Sequence, residues 1–483
     1  MIDLTLHPDR LERAVQRARE RHIVIPTYAQ MKDPSQAPAS VKEALANVGL
    51  WDVNPLNLFR ITWKNQPTPS GGGFGPVNYI EFPSSFTGVP ARIIAIVGKW
   101  FPTGAHKVGA AFSCLVPRLV TGQFDPTTQK AVWPSTGNYC RGGAYDSALL
   151  GCESIAILPE GMSKERFDWL AKIAGETIKT PGSESNVKEI FDKCWELRNS
   201  GQDLMIFNQF EEFGNYLWHY DVTGHAMAEV LERELGPRGQ FRGVALTTGS
   251  AGTIASGDFL KQQFPGSVIA ASEALQCPTL LENGFGAHRI EGIGDKHVPF
   301  IHNVKNTDLV TAIDDNAVVS LARLFNEPAG RKYLASQGVP EAFISNLHLL
   351  GFSGIANLLS AIKVAKYYDM GEDDVMMTVL TDSMDLYGSR LVEMHEEVGQ
   401  YTELDAAAHF ARYLHGENTA NMLELRYPDR KRVHNLKYYT WVEQQGRTFQ
   451  ELNAQWDDSY WTSIQGMSGQ IDELITEFNA RVG

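Results

Sequence analysis

Lys107 stands in Pro102-Thr103-Gly104-Ala105-His106-Lys107, and Ser135-Thr136-Gly137-Asn138 follows in a later segment. Most lysines are solvated surface residues. A lysine set among small residues just before a helix is different. Its amine loses water contact, its pKa falls, and it becomes able to form a Schiff base with an aldehyde. Ser-Thr-Gly-Asn gathers hydroxyl and amide groups into one turn that can hydrogen-bond a carboxylate or a ring oxygen.

A second pair of segments offers an anion site and a lone hydroxyl. The apolar run Gly243-Val244-Ala245-Leu246 leads into Thr247-Thr248-Gly249-Ser250-Ala251-Gly252-Thr253, ahead of a helix predicted over Ile254–Gln263. Glycines allow a tight loop, and successive N–H groups at a helix N-terminus attract anions. The loop is neither GxGxxG nor a P-loop, and taken alone such a junction is commonly structural. Ser353 precedes a helix predicted over Ile355–Tyr367. It reads either as an N-cap or as a neutral hydroxyl facing a ring nitrogen. Gly71-Gly72-Gly73-Phe74-Gly75 has no strand before it and no helix after it, and reads as a flexible linker.

These loops need a frame. Apolar, β-branched runs at Arg92–Val97, Lys130–Trp133, Ser154–Leu158 and Thr177–Thr180 alternate with helix-length amphipathic segments, and the pattern resumes at Gly243–Thr247, Ser267–Ala271 and Val375–Thr381. Such alternation predicts an α/β protein: two open twisted-sheet domains, covered by helices, with the ligand in the cleft between them at strand C-terminal ends. The expected division is an N-terminal extension over 1–75, a smaller α/β domain over 76–215, a larger one over 216–390, and an aromatic-rich helical extension over 391–483. That tail carries Tyr438, Tyr439, Trp441, Trp456, Tyr460 and Trp461, suited to packing on its own body or a sister subunit.

At 483 residues, 43% hydrophobic and 21% charged, the chain is long enough for several buried cores. A net charge of −14 argues against nucleic acid as a partner. No apolar run reaches membrane-span length and the N-terminus is too charged for a signal peptide, so no membrane association and a cytoplasmic location are expected. Five cysteines lack metal or CxxC spacing and are expected as free thiols, with no metal site.

Longer motifs carry a resemblance. Pro159-Glu160-Gly161-Met162-Ser163-Lys164-Glu165-Arg166, Asn208-Gln209-Phe210-Glu211 with Thr223-Gly224, His288-Arg289-Ile290-Glu291-Gly292-Ile293-Gly294, and Asp382-Ser383 occur in the order found in fold-type II pyridoxal-phosphate enzymes. The chain most resembles the cysteine synthase and cystathionine β-synthase branch, over residues 90–391. The resemblance implies pyridoxal 5′-phosphate as cofactor and a small amino acid as substrate; the assembly expected is a homodimer. It implies that Lys107 holds the cofactor as a Schiff base and acts as base at the substrate α-carbon. Asn138 would bond the ring's 3′-oxygen, Ser353 would meet the pyridine nitrogen, and Gly249, Ser250, Ala251, Gly252 and Thr253 would cradle the phosphate. Ser135, Thr136 and Gln209 would bind the α-carboxylate, with Gly292 beside the Schiff base. A serine at the pyridine nitrogen leaves the ring a weaker electron sink than a carboxylate would, which suits loss of a β-substituent better than transamination.

Two departures bear on the reaction. Phe101, Ala105 and Val108-Gly109 replace the Asn, Ser and Asp-Arg of the cysteine synthase lysine segment, and Thr-Gly-Ala-His-Lys instead resembles the tryptophan synthase β-subunit. His106 would then approach the phosphate, or serve structurally; the catalytic Glu of that subunit would fall near Ser135, where the sequence has none. Tyr139 and Cys140 follow Asn138 in place of Thr-Gly. Tyr139 is expected to face the substrate, with packing beneath the turn as its alternative. The expected reaction is β-replacement through an aminoacrylate. The alternatives are a β-eliminating lyase and a cofactor-binding subunit without turnover.

Overall fold

The computed structural model describes residues 1–67 and 72–483, so Gly71 of the glycine run lies outside the described residues. In chain order the strands are β1 (Tyr79–Phe82), β2 (Arg92–Val97), β3 (Lys130–Pro134), β4 (Glu153–Pro159), β5 (Glu176–Thr180) and β6 (Leu204–Ile206). They continue as β7 (Gln240–Thr247), β8 (Val268–Ala274), β9 (Leu309–Ile313), β10 (Asp374–Leu380) and β11 (Met422–Glu424).

Two sheets result. One has the order β1-β2-β10-β7-β8-β9-β11 and the other β5-β4-β3-β6. The second is parallel throughout. In the first, β2, β10, β7, β8 and β9 are parallel, while β1 and β11 run antiparallel at the edges. Every residue of β9 is buried, as expected of parallel strands covered on both faces. The helices Lys107–Val120, Asn138–Leu149 and Ile254–Gln263 follow β2, β3 and β7, so the Lys107, Ser135–Asn138 and Gly249–Thr253 loops all occupy strand C-terminal ends.

The strand pairing corrects the expected division of the chain. β1 and β2 fall within 76–215, yet they belong to the larger sheet, because β2 finds its parallel partner in β10 with Val375 opposite Arg92. The tail is not purely helical either. β11 pairs with β9, Met422 opposite Thr311, and covers an edge that would otherwise expose unpaired backbone groups.

The head and tail pack on the body and on each other. Helix Pro8–Glu20 buries Leu11, Ala14, Val15 and Ala18, and helix Met467–Val482 buries Ile471, Ile475, Phe478 and Val482; both sets belong to one hydrophobic core. Asp472 accepts hydrogen bonds from the backbone N–H groups of Tyr28 and Ala29 at 2.6 and 3.0 Å. Asn479 bonds both the N–H and the carbonyl of Ile25. The described part of the glycine run is tied down rather than free: the N–H of Gln66 donates to the Gly73 carbonyl at 2.7 Å and the N–H of Gly75 to the Lys64 carbonyl at 2.8 Å.

A second aromatic core joins Phe191, Phe210, Phe213, Tyr216 and Phe300 to the tail residues Trp441, Leu452, Trp461 and Ile464. Trp461 packs on Phe213 and Tyr216 with ring centroids 6.0 and 5.1 Å away. The aromatic tail therefore supports the short helix Phe213–Trp218 from behind.

Candidate active site

Lys107 lies at the first turn of the helix Lys107–Val120. Its Nζ donates to Ser250 Oγ at 3.0 Å and to Gln209 Oε1 at 3.5 Å. Gln209 Nε2 in turn donates to Ser135 Oγ at 3.1 Å. One hydrogen-bonded chain thus joins residues from the ends of β2, β3, β6 and β7. Burial pushes the amine's pKa down to about 8, against the smaller upward pull of Cys114 and Glu184, so free amine is accessible near neutral pH.

The glycine-containing loop sits beside it. The backbone N–H groups of Gly249, Ser250, Ala251, Gly252 and Thr253 have no acceptor among the described residues. Ala251 has φ +61°, a left-handed conformation that a residue with a Cβ holds at a cost, as functional loops often do. A Cβ on Gly252 would lie 2.2 Å from Asn215 Oδ1 and 2.9 Å from His219 Cδ2, so only glycine fits. Asn215 Nδ2 donates to Ser250 Oγ at 2.9 Å and to the Gln209 carbonyl at 3.0 Å.

Several buried polar atoms here lack any partner among the described residues: both ring nitrogens of His106, His219 Nε2, Asn215 Oδ1, Asn138 Oδ1 and Ser353 Oγ. Orphaned groups of this kind cost free energy unless a ligand meets them. The His106 and His219 rings stand edge to face, 4.9 Å between centroids. Burial and Lys107 hold both well below the usual histidine range, and His106 adds to the effect on His219, so both rings are neutral donors or acceptors. Ser353 is not the helix N-cap. The helix begins at Phe352 with Gly351 as cap, which leaves the Ser353 hydroxyl buried and free. Gly292, at φ +98°, lies against it; a Cβ there would be 3.6 Å from Ser353 Oγ.

Asn138 Nδ2 donates to Asp382 Oδ2 at 2.6 Å, and the Tyr387 hydroxyl donates to the same oxygen at 2.7 Å. Tyr139 departs from expectation. Its ring is 1% exposed and meets Trp133 edge to face at 5.4 Å, in the hydrophobic core rather than in the cleft. At the second position of the helix Asn138–Leu149, its side chain points back beneath the turn.

Glu184, Asn215 and His219 were not found from sequence. Asn215 and His219 lie four apart, on one helical face, in the segment that joins the two α/β blocks; that spacing was the available signal. Glu184 follows the C-terminal end of β5 and carries no motif. Its Oε1 accepts from Thr136 Oγ1 at 2.5 Å and from the Gly292 N–H at 2.8 Å. The loop in which the sequence offered no Glu therefore receives one from another strand.

A Lys amine of lowered pKa, anion-ready amides on a glycine loop and a free buried hydroxyl form a donor set that fits pyridoxal phosphate. Residues 100–331 match the family model described as pyridoxal-phosphate dependent enzyme. Over these residues the chain is similar to fold-type II pyridoxal-phosphate enzymes. A probable cysteine synthase of Bacillus subtilis is 27% identical to it over 287 residues, 59% of this chain and 85% of the relative. Cystathionine beta-synthase of Saccharomyces cerevisiae is 25% identical and aligns over 63% of this chain and 59% of its own length. The crystal structure of an O-acetylserine dependent cystathionine beta-synthase from Helicobacter pylori superposes with a TM-score of 0.53 at 24% identity, over 64% of this enzyme and 92–95% of such neighbours, here 94%.

Proposed function

We propose that this pyridoxal-phosphate enzyme catalyses β-replacement on a small β-substituted amino acid. The observation that carries the reading is the Ser353 hydroxyl, buried at the start of a helix against Gly292 with no hydrogen-bond partner among the described residues. A neutral group at that position supports chemistry that discharges negative charge by losing a β-substituent. The names of the related enzymes, cysteine synthases and cystathionine beta-synthases, support the same class.

When bound, pyridoxal phosphate supplies the electron sink that acidifies the α-hydrogen of an amino acid. Lys107 would hold it covalently and then move the proton at the substrate Cα. The amides of Gly249, Ser250, Ala251, Gly252 and Thr253, with His106 and His219, would hold its phosphate. Asn138 would hold the ring oxygen and Ser353 the ring nitrogen. Ser135, Thr136 and Gln209 would orient the substrate carboxylate beside Gly292. Free thiols at all five cysteines fit a cytoplasmic location, and the family resemblance supports a homodimer.

β-Elimination shares the first half of this reaction and is the second reading. It is favoured by Glu184, a carboxyl group placed beside the substrate turn. Incubating the pure enzyme with β-substituted alanines, with and without sulfide, separates the two. A new amino acid formed only with sulfide is the expected result, and pyruvate in its place would assign elimination. Protein that stays colourless with added cofactor and turns over nothing would refute both.

A further inference from the structure

Glu184 belongs to neither half of the cleft alone. Its Oε1 accepts one hydrogen bond from Thr136, at the end of β3, and one from the N–H of Gly292, in the loop beyond β8. It therefore bridges the two sheets at the residues proposed to hold the substrate. Its Oε2 accepts nothing from the described residues, although the side chain is only 2% exposed. On its other side Glu184 lines a cavity of about 190 Å³, shared with Met162, His288, Glu291 and Arg390. A carboxyl group with one anchored and one open oxygen thus stands between the Lys107 site and a small chamber.

We propose that Glu184 is a catalytic acid that gives its Oε2 proton to the substituent leaving the substrate β-carbon, so that the enzyme accepts basic leaving groups such as hydroxide, thiolate or an amine. The inference rests on the reaction proposed above. The step balances without an oxidant or reductant. The Cα proton passes to Lys107 Nζ, the electron pair it leaves forms the Cα=Cβ double bond, the bond from Cβ to the substituent breaks with its pair departing on the substituent, and the Glu184 proton completes the neutral leaving molecule. The proton released by the incoming nucleophile, passed on by water in the adjoining cavity, returns to the carboxylate.

Electrostatics keep the acid loaded. Burial pushes the Glu184 carboxyl up to about 8, and the carboxylate of Glu291 adds to that, whereas Arg166, Thr136 and the Gly292 amide pull it down. The Glu184 carboxylate in turn raises the Lys107 amine a little against its burial. His288, Arg289, Arg390, Glu393 and Glu397 face the chamber. An acid in this range suits substituents whose departure as a free anion is slow, whereas acetate leaves readily without a proton.

A structural role makes a different prediction, because glutamine keeps the carbonyl oxygen that Thr136 and Gly292 bond and removes only the transferable proton. For E184Q with its cofactor bound, kcat on L-serine, L-cysteine and 2,3-diaminopropionate is expected to fall about 100-fold further than kcat on O-acetyl-L-serine, within the usual range for a general acid. An equal loss on every substrate, or wild-type turnover confined to O-acetyl-L-serine, would overturn the assignment while leaving the β-replacement reading intact. A wild-type enzyme inert towards all four overturns both. Should E184Q fail to fold, E184A with added formate replaces it: formate restoring turnover of L-serine supports the acid, and no restoration refutes it.

Discussion

At the scale of single residues, the lowered pKa of Lys107 has a direct kinetic readout. Only the unprotonated amine attacks an aldehyde carbon. Its fraction grows as pH rises to the amine's pKa and is nearly complete above it. With that pKa near 8, the rate at which cofactor-free enzyme captures pyridoxal phosphate covalently should climb about tenfold per pH unit below that point, then level off. Stopped-flow absorbance measures this. A rate still climbing at about pH 10, as for a solvated lysine, would contradict the burial argument. K107A should yield no borohydride-reducible attachment at any pH. Lys107 was legible in the sequence through its small neighbours ahead of a helix, Ser135 and Ser250 through their turns after strands, and Gln209 only through the family resemblance. Tyr139 was misread because residue type and proximity to Asn138 do not reveal side-chain direction; the helix decides that. Glu184 was invisible, since a carboxylate in an ordinary loop has no signature until folding brings Thr136 and Gly292 to it.

At the scale of elements, the glycine loop and the helix Phe213–Trp218 act as a matched pair. G252L would drive a side chain into Asn215 and His219. Overpacking of this kind costs about 1–3 kcal/mol, which corresponds to roughly 5- to 150-fold weaker cofactor retention if the loop yields. Equilibrium dialysis of the reduced-affinity variant would measure it, and retention equal to the parent would place the phosphate elsewhere. Most of the buried strands announced themselves, whereas the fully buried β9 was missed. β2 was predicted with the bounds it has, and β3, β4, β7, β8 and β10 to within a few residues, because continuous apolar runs between glycines and turns have little other use. β6 and β11 have only three residues each, and β1 is half-buried along most of its length. Such strands exist through their partners, and partners are not encoded locally.

At the scale of the molecule, the tail serves the site without touching it. Trp461 is 3% exposed, packs on Phe213 and Tyr216, and lies near Gln465, whose Nε2 donates to the Tyr216 hydroxyl at 2.9 Å. Tyr216 donates onward to Asp258 at 2.7 Å, on the helix that follows the glycine loop. W461A should cost about 3–5 kcal/mol of stability and also speed cofactor loss below the unfolding midpoint. Denaturant titration and cofactor release measured on the same variant test the coupling; destabilisation with unchanged release would reduce the tail to a remote prop. The tail's aromatic content is legible in the sequence but its address is not, since which surface an aromatic segment covers depends on contacts hundreds of residues away.

The clasp between Tyr28 and Asp472, and between Ile25 and Asn479, carries a consequence for biosynthesis. One hydrophobic core draws on both Leu11 and Val482, so it cannot close while the chain is still being made. At about 5–20 residues per second, translating these residues takes roughly 25–100 s. For that interval the helix Pro8–Glu20 offers its apolar stripe to the solvent with its permanent neighbour not yet synthesised. The ability to capture cofactor should therefore emerge only after the helix Met467–Val482 has been made and has closed that core.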